Sequence, residues 1–196
     1  MTMLQTAISE LGVVEGKGSA NDPRVLEYHK ATGGFSQDTV PWCGSFIAWN
    51  ALQNHVQYNH AKAAAAIYWV TDWIKEGYGI LIKNPIPGAI GVKKRVGGNH
   101  VFFFVRWLDK KAGVFEALGG NQGGGKKSGH DGAVTLTKFN ASDVVAWAWP
   151  KSVPIPTANK PYRKSPAIVG GTTALGVGSA TAVAVGPAIP EAIKAV

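Results

Sequence analysis

Cysteine is almost missing from this chain of 196 residues; only Cys43 is present. One thiol can close no internal disulfide and can build no cysteine-cluster zinc site. Charge is sparse as well, with Asp, Glu, Lys and Arg together at 16%, against roughly 25% in an average globular chain. Acidic residues are the scarcer sign, 12 against 20 basic. The opening stretch MTMLQTAISELGVVEG has no basic segment leading into a long apolar core, so no secretory signal is expected. No internal repeat is visible. No metal and no cofactor is expected.

What is present supports one well-buried domain with an appendage, because 196 residues are too few for two full-sized domains. The net charge of +8 favours a polyanionic partner. Nucleic acid, an anionic membrane and a cell-wall polymer all fit that description. No nucleic-acid-binding module is recognisable, so no specific nucleic-acid contact is expected.

Hydrophobic spacing predicts helices first. Leu4, Ala7, Ile8 and Leu11 place one over residues 2–12. In NDPRVLEYHKATGG, Asp22 suits a cap, Pro23 a first turn and Gly33 a stop. A third helix is predicted over 43–56. A fourth, broken near its middle, lies in AAAAIYWVTDWIKEGYG and stops at Gly77. The pattern then changes to strands: PIPGAIGVKK, HVFFFVRWLD, AGVFEALGG, AVTLTKF and VVAWAWP, which ends at Pro150. HVFFFVRWLD and AGVFEALGG read as a hairpin joined through DKKAG. Helices followed by antiparallel strands give an α+β domain over residues 1–150. A Pro-rich linker is expected over 151–166 and an Ala/Gly/Val-rich tail over 167–196. The interval from Ser165 to Pro190 holds no charged residue. It is long enough to cross a bilayer but poor in large aliphatics, and membrane contact is expected through residues 167–190.

Cys43 stands in DTVPWCGSFIAWN, at the head of the third helix. Unpaired N–H groups and the positive dipole end favour thiolate there. The plain alternative is a small buried apolar residue, which most free cysteines are. His100 opens the HVFFFV strand after GGN, a place at a sheet edge where a cysteine nucleophile could find its base. Asn121, in LGGNQ, follows the neighbouring strand and could hold the imidazole in one tautomer. Glu116 competes for that role. GNQGGGKKS approximates a phosphate-binding loop, but Lys127 stands where Ser or Thr is needed and no helix follows. Glu10, Glu15 and Glu27 show no glycosidase-like pairing.

PWCGSFIAWN, PIPGAIGV, NHVFFFV, LGGNQ and AWAWP, in that order, resemble the papain-like cell-wall hydrolases of the NlpC/P60 and CHAP superfamily. LGVVEG followed by NDPRVLEYHKATG is similar to its compact, often phage-borne branch. The resemblance spans about residues 4 to 150. It implies helices packed on an antiparallel sheet, with Cys43, His100 and Asn121 as a catalytic triad. Trp42 and Gln122 become the substrate-binding candidates. It implies hydrolysis of a peptidoglycan amide bond, by an amidase or an endopeptidase, as in a phage endolysin or virion-associated lysin. Such a protein resides in the host cytoplasm or the virion and acts on the bacterial wall. Gly44 and Ala89 depart from the family's habits, as does VFFF after the histidine. A non-catalytic wall-binding or virion structural module on the same fold is the alternative.

Overall fold

A computed structural model describes residues 2–17, 20–123 and 132–156. It is an α+β structure whose six strands form one sheet in the order β1-β6-β2-β3-β4-β5, with every neighbouring pair antiparallel. The strands are β1 (Gly79–Ile82), β2 (Ile90–Arg95), β3 (Gly98–Asp109), β4 (Val114–Gln122), β5 (Ala133–Asn140) and β6 (Val144–Pro150).

Helix α1 (Met3–Ile8) begins at a capping box in which Thr2 and Gln5 satisfy each other's exposed ends. It stops earlier than the sequence spacing predicts. Gly12 takes a φ of 93° and donates its N–H to Val134 O at 3.1 Å, and Val134 returns a bond to Val13 O at 2.8 Å. Residues after α1 are thereby drawn out along the edge strand β5, where Val14 bridges Ala133. Pairing with the sheet overrides the helical apolar spacing.

Helix α2 (Pro23–Lys30) follows the sequence closely. Asp22 accepts from the N–H groups of Arg24 and Val25, and Pro23 opens the first turn. Helix α3 (Cys43–Gln53) is buried on nearly all sides, with Cys43 through Ala51 enclosed. The expected fourth helix divides into a 3-10 turn at Ala66–Val70 and a short α4 (Asp72–Lys75), separated at Thr71 by ψ −90°. Strand β1 is not among the strands that the sequence pattern predicts. Its four residues, GILI, carry no alternation, and they pair with β6 from Gly79↔Pro150 to Ile82↔Trp147.

The alternation of β3 separates two apolar clusters. Val101, Phe103 and Val105 face the helices and join Phe46 and Ile47 of α3. Phe46 meets Phe103 edge-on at 6.5 Å between ring centres, a geometry worth about 0.5–1.5 kcal/mol beyond its buried area. Phe102 and Phe104 face the other way, into an aromatic cluster with Phe115, Trp147 and Trp149. Residues 151–156 leave the sheet under restraint, since Trp149 Nε1 donates to Val153 O at 2.8 Å. The rest of the expected linker and the whole 167–196 tail lie outside the described residues, so the membrane expectation does too. Among the described residues, no helix is long and apolar enough to cross a membrane.

Candidate functional site

Strands β3 and β4 pair from Asp109↔Val114 to Phe103↔Leu118 and then part. Gly119 and Gly120 lie where they part. A Cβ on Gly119 would stand 3.2 Å from Phe102 Cβ and 2.9 Å from Gln122 Oε1, on the aromatic side. A Cβ on Gly120 would overlap the Trp42 ring, on the helical side. Only glycine allows both faces to approach β4 this closely. The opening thus lies between the head of α3 and the start of β3.

Cys43 occupies the helical side of that opening. It is 3% exposed. Phe104 donates to Ala89 O, on the β2 side. By the alternation of an antiparallel ladder, the Val101 N–H turns toward the β4 side, where the pairing has ended. That amide favours the Cys43 thiolate, as do Arg95 and the N–H groups of Gly44 and Cys43 itself. Burial outweighs them all and pushes the thiol above its ordinary value. Gly44 departs from the resembled family for a local reason, because a Cβ there would overlap the carbonyl of Ala64.

His100 lies on the other side of the opening, 5% exposed. Its ring stacks on Phe102 at 5.9 Å and meets Phe139 edge-on at 6.0 Å. Its Nε2 lies 2.9 Å from Gln122 Oε1. The Gln122 amide nitrogen donates to Thr135 O, which directs the amide oxygen at the imidazole. Nε2 must therefore carry the proton and donate it. The opposite nitrogen, Nδ1, is then a bare lone pair. It is buried and has no hydrogen-bond partner among the described residues. Burial lowers the His100 pKa from 6.5 to about 4; Gln122 opposes the shift, and Arg95 and Lys93 add to it. The ring is neutral at pH 7 and able to take a proton at Nδ1.

Gln122, placed by sequence among the substrate-binding candidates, is the residue on the imidazole. Asn121, the expected third member, is not. The register of β4 on β5 shifts between Gly119 and Gln122, and Asn121 sits in the shift with φ 56°. Its Oδ1 lies near Glu15: a Cβ on Gly132 would stand 2.5 Å from Asn121 Oδ1 and 2.6 Å from Glu15 Oε1. Glu116 is also excluded, because it accepts from Arg106 Nε at 2.8 Å, farther along the hairpin. Trp42 does not line a cleft. It is fully buried, stacks on Tyr28 at 5.6 Å and donates Nε1 to Glu15 Oε1 at 2.5 Å.

A cavity of about 310 Å³ opens beside His100, lined also by Lys93, Arg95, Asn121, Gln122 and Phe139. The Cys43 thiol is outside its lining and shares no hydrogen bond with His100; the two are linked through Val101. No cluster of three metal-ligating side chains occurs among the described residues. Comparison with protein-family models, with curated proteins and with solved structures finds no match.

Proposed function

We propose that this chain is a cysteine-dependent amide hydrolase of the papain-like NlpC/P60 type, acting on peptidoglycan, with Cys43 as nucleophile and His100 as base. One observation carries the reading. Gln122 fixes the His100 tautomer so that a buried Nδ1 lone pair is left without a hydrogen-bond partner among the described residues. A positioned base with a third group behind it is what a sulfur nucleophile requires. The ordered motifs that resemble the cell-wall hydrolases supply the substrate class.

In this mechanism substrate reaches the opening between β3 and β4, and Nδ1 takes the Cys43 proton. The thiolate attacks the scissile carbonyl. Phe46 N–H closes the first helical bond to Trp42 O at 2.8 Å, which leaves the earlier N–H groups of α3 to stabilise the oxyanion. The imidazolium returns its proton to the departing amine. Water, deprotonated in turn by Nδ1, releases the acyl group and restores the thiol. The resting pair is neutral, since burial raises the thiol and lowers the imidazole.

A specific observation favours a second reading, a non-catalytic wall-binding module on the same fold. The thiol is enclosed and stands apart from the His100 cavity. Digestion of purified peptidoglycan by the full chain, followed by mass spectrometry, separates the two. The hydrolase releases fragments with a new amine and a new carboxyl end, and Cys43→Ala abolishes them. Release by Cys43→Ala at the wild-type rate would refute the thiol mechanism, and binding without any release would establish the module.

A further inference from the structure

We infer that the cavity beside His100 is a carboxylate subsite, in which Arg95 and Lys93 grip a free carboxylate of the substrate. This rests on the hydrolase reading for the identity of the substrate, but the subsite itself is argued from charge and register. Lys93 is the direct cross-strand partner of His100, and Arg95 stands two residues along β2. Period-two alternation puts all three side chains on one face, and all three line the cavity.

The other described arginines are committed to carboxylates. Arg24 is held by Glu10 and Glu27, and Arg106 by Glu116. Arg95 has no carboxylate partner among the described residues. Lys93 lies 4.2 Å above the Phe139 ring, which orients its stem, and reaches Asp143 Oδ2 only at 3.8 Å. Among the described residues, no acidic side chain lines the cavity. Two cations over an aromatic floor, with one guanidinium uncommitted, suit a planar anion that accepts a forked pair of hydrogen bonds. Peptidoglycan stem peptides offer such a group where an acidic residue is free and withdraw it where that carboxylate is amidated. The subsite therefore selects free-carboxylate stems over carboxamide stems.

The same cations help hold His100 neutral. An anion bound between them offsets their field and raises the imidazole pKa, so occupancy of the subsite strengthens the base.

The test uses the full chain, with N-acetyl-D-glutamate as probe and its uncharged diamide, N-acetyl-D-glutamine amide, as the neutral match. The His100 ring is titrated by NMR with and without each. N-acetyl-D-glutamate is expected to raise the His100 midpoint and N-acetyl-D-glutamine amide to leave it in place. Arg95→Gln should weaken the glutamate response about tenfold, the loss of one charge-assisted contact, with Lys93→Gln as the second variant. Equal response to both probes, no response to either, or an unchanged response in Arg95→Gln would overturn the subsite. Digestion of free-carboxylate and amidated peptidoglycan then separates the two ideas. Hydrolysis without preference removes the subsite and leaves the hydrolase; selective probe binding with no hydrolysis of either wall removes the hydrolase and leaves the subsite.

Discussion

Lowering the pH from 7 to 4 should destabilise this protein through His100 in particular. The folded pKa is about 4, against 6.5 for a free imidazole. In the unfolded chain the ring takes a proton as pH falls past 6.5; in the folded chain it resists until about 4. Between those values the unfolded state binds more protons, so stability falls as pH falls, and below about 4 the loss is complete. Each unit of separation is worth about 1.4 kcal/mol, which gives on the order of 3 kcal/mol across the window. The groups facing the ring reinforce the sign. Lys93 and Arg95 on β2 repel the imidazolium, Gln122 on β4 already takes the Nε2 proton, and Thr137 and Phe139 on β5 bring no negative charge. His29 is also depressed by burial and Glu10 is depressed overall, Arg24 and Tyr28 outweighing its burial, so both add their own acid sensitivity. The assay is therefore a difference. Urea unfolding of wild type and His100→Gln is measured at pH 7, 5.5 and 4, which cancels the common groups. The wild-type advantage should shrink by about 3 kcal/mol as pH falls. NMR titration of the His100 ring supplies the same number if the variant folds poorly. A flat difference, or a ring that titrates near 6.5, would refute the argument.

Gln122→Ala should lower kcat on the order of 10²-fold by freeing the imidazole, while Asn121→Ala should cost far less; steady-state hydrolysis of one wall preparation compares them. Because burial raises the Cys43 pKa, iodoacetamide should label the native thiol more slowly at pH 7 than a free cysteine peptide. Labelling should quicken only as pH climbs above the ordinary thiol range, and a native thiol as fast as the peptide at pH 7 would contradict the burial. Gly44→Ala should destabilise by about 1–3 kcal/mol through overlap with the Ala64 carbonyl, read as a shift in the urea midpoint at constant slope.

Much of this architecture was legible because local signals agree with the final packing. Asp22, Pro23 and Gly33 frame α2 by chemistry that acts within a few residues. The β3–β4 hairpin was legible for a similar reason: two strongly β-forming runs flank a short polar turn. Local pattern and structure diverge where distant partners decide. Leu11 continues the helical spacing of α1, but Gly12 and Val13 find hydrogen bonds on Val134, across the whole chain. GILI has no alternation to reveal it, and becomes a strand only because β6 arrives beside it.

The same logic separates the two halves of the candidate site. The placements of Cys43 at a helix head and of His100 near the start of a strand were readable because a local pattern fixes each position. The third residue depends on strand parity, and parity is lost at an irregularity. Regular alternation through Gly119 would put residue 121 on the His100 side and residue 122 on the helical side. The register shift between Gly119 and Gln122 reverses that assignment. Asn121 absorbs the reversal at φ 56°, a conformation asparagine tolerates better than most residues. The Gly119-Gly120-Asn121 run was therefore a signal of backbone irregularity before it was a signal of chemistry. Read in that way, it directs attention one residue onward, to Gln122, whose amide is the one that meets the imidazole.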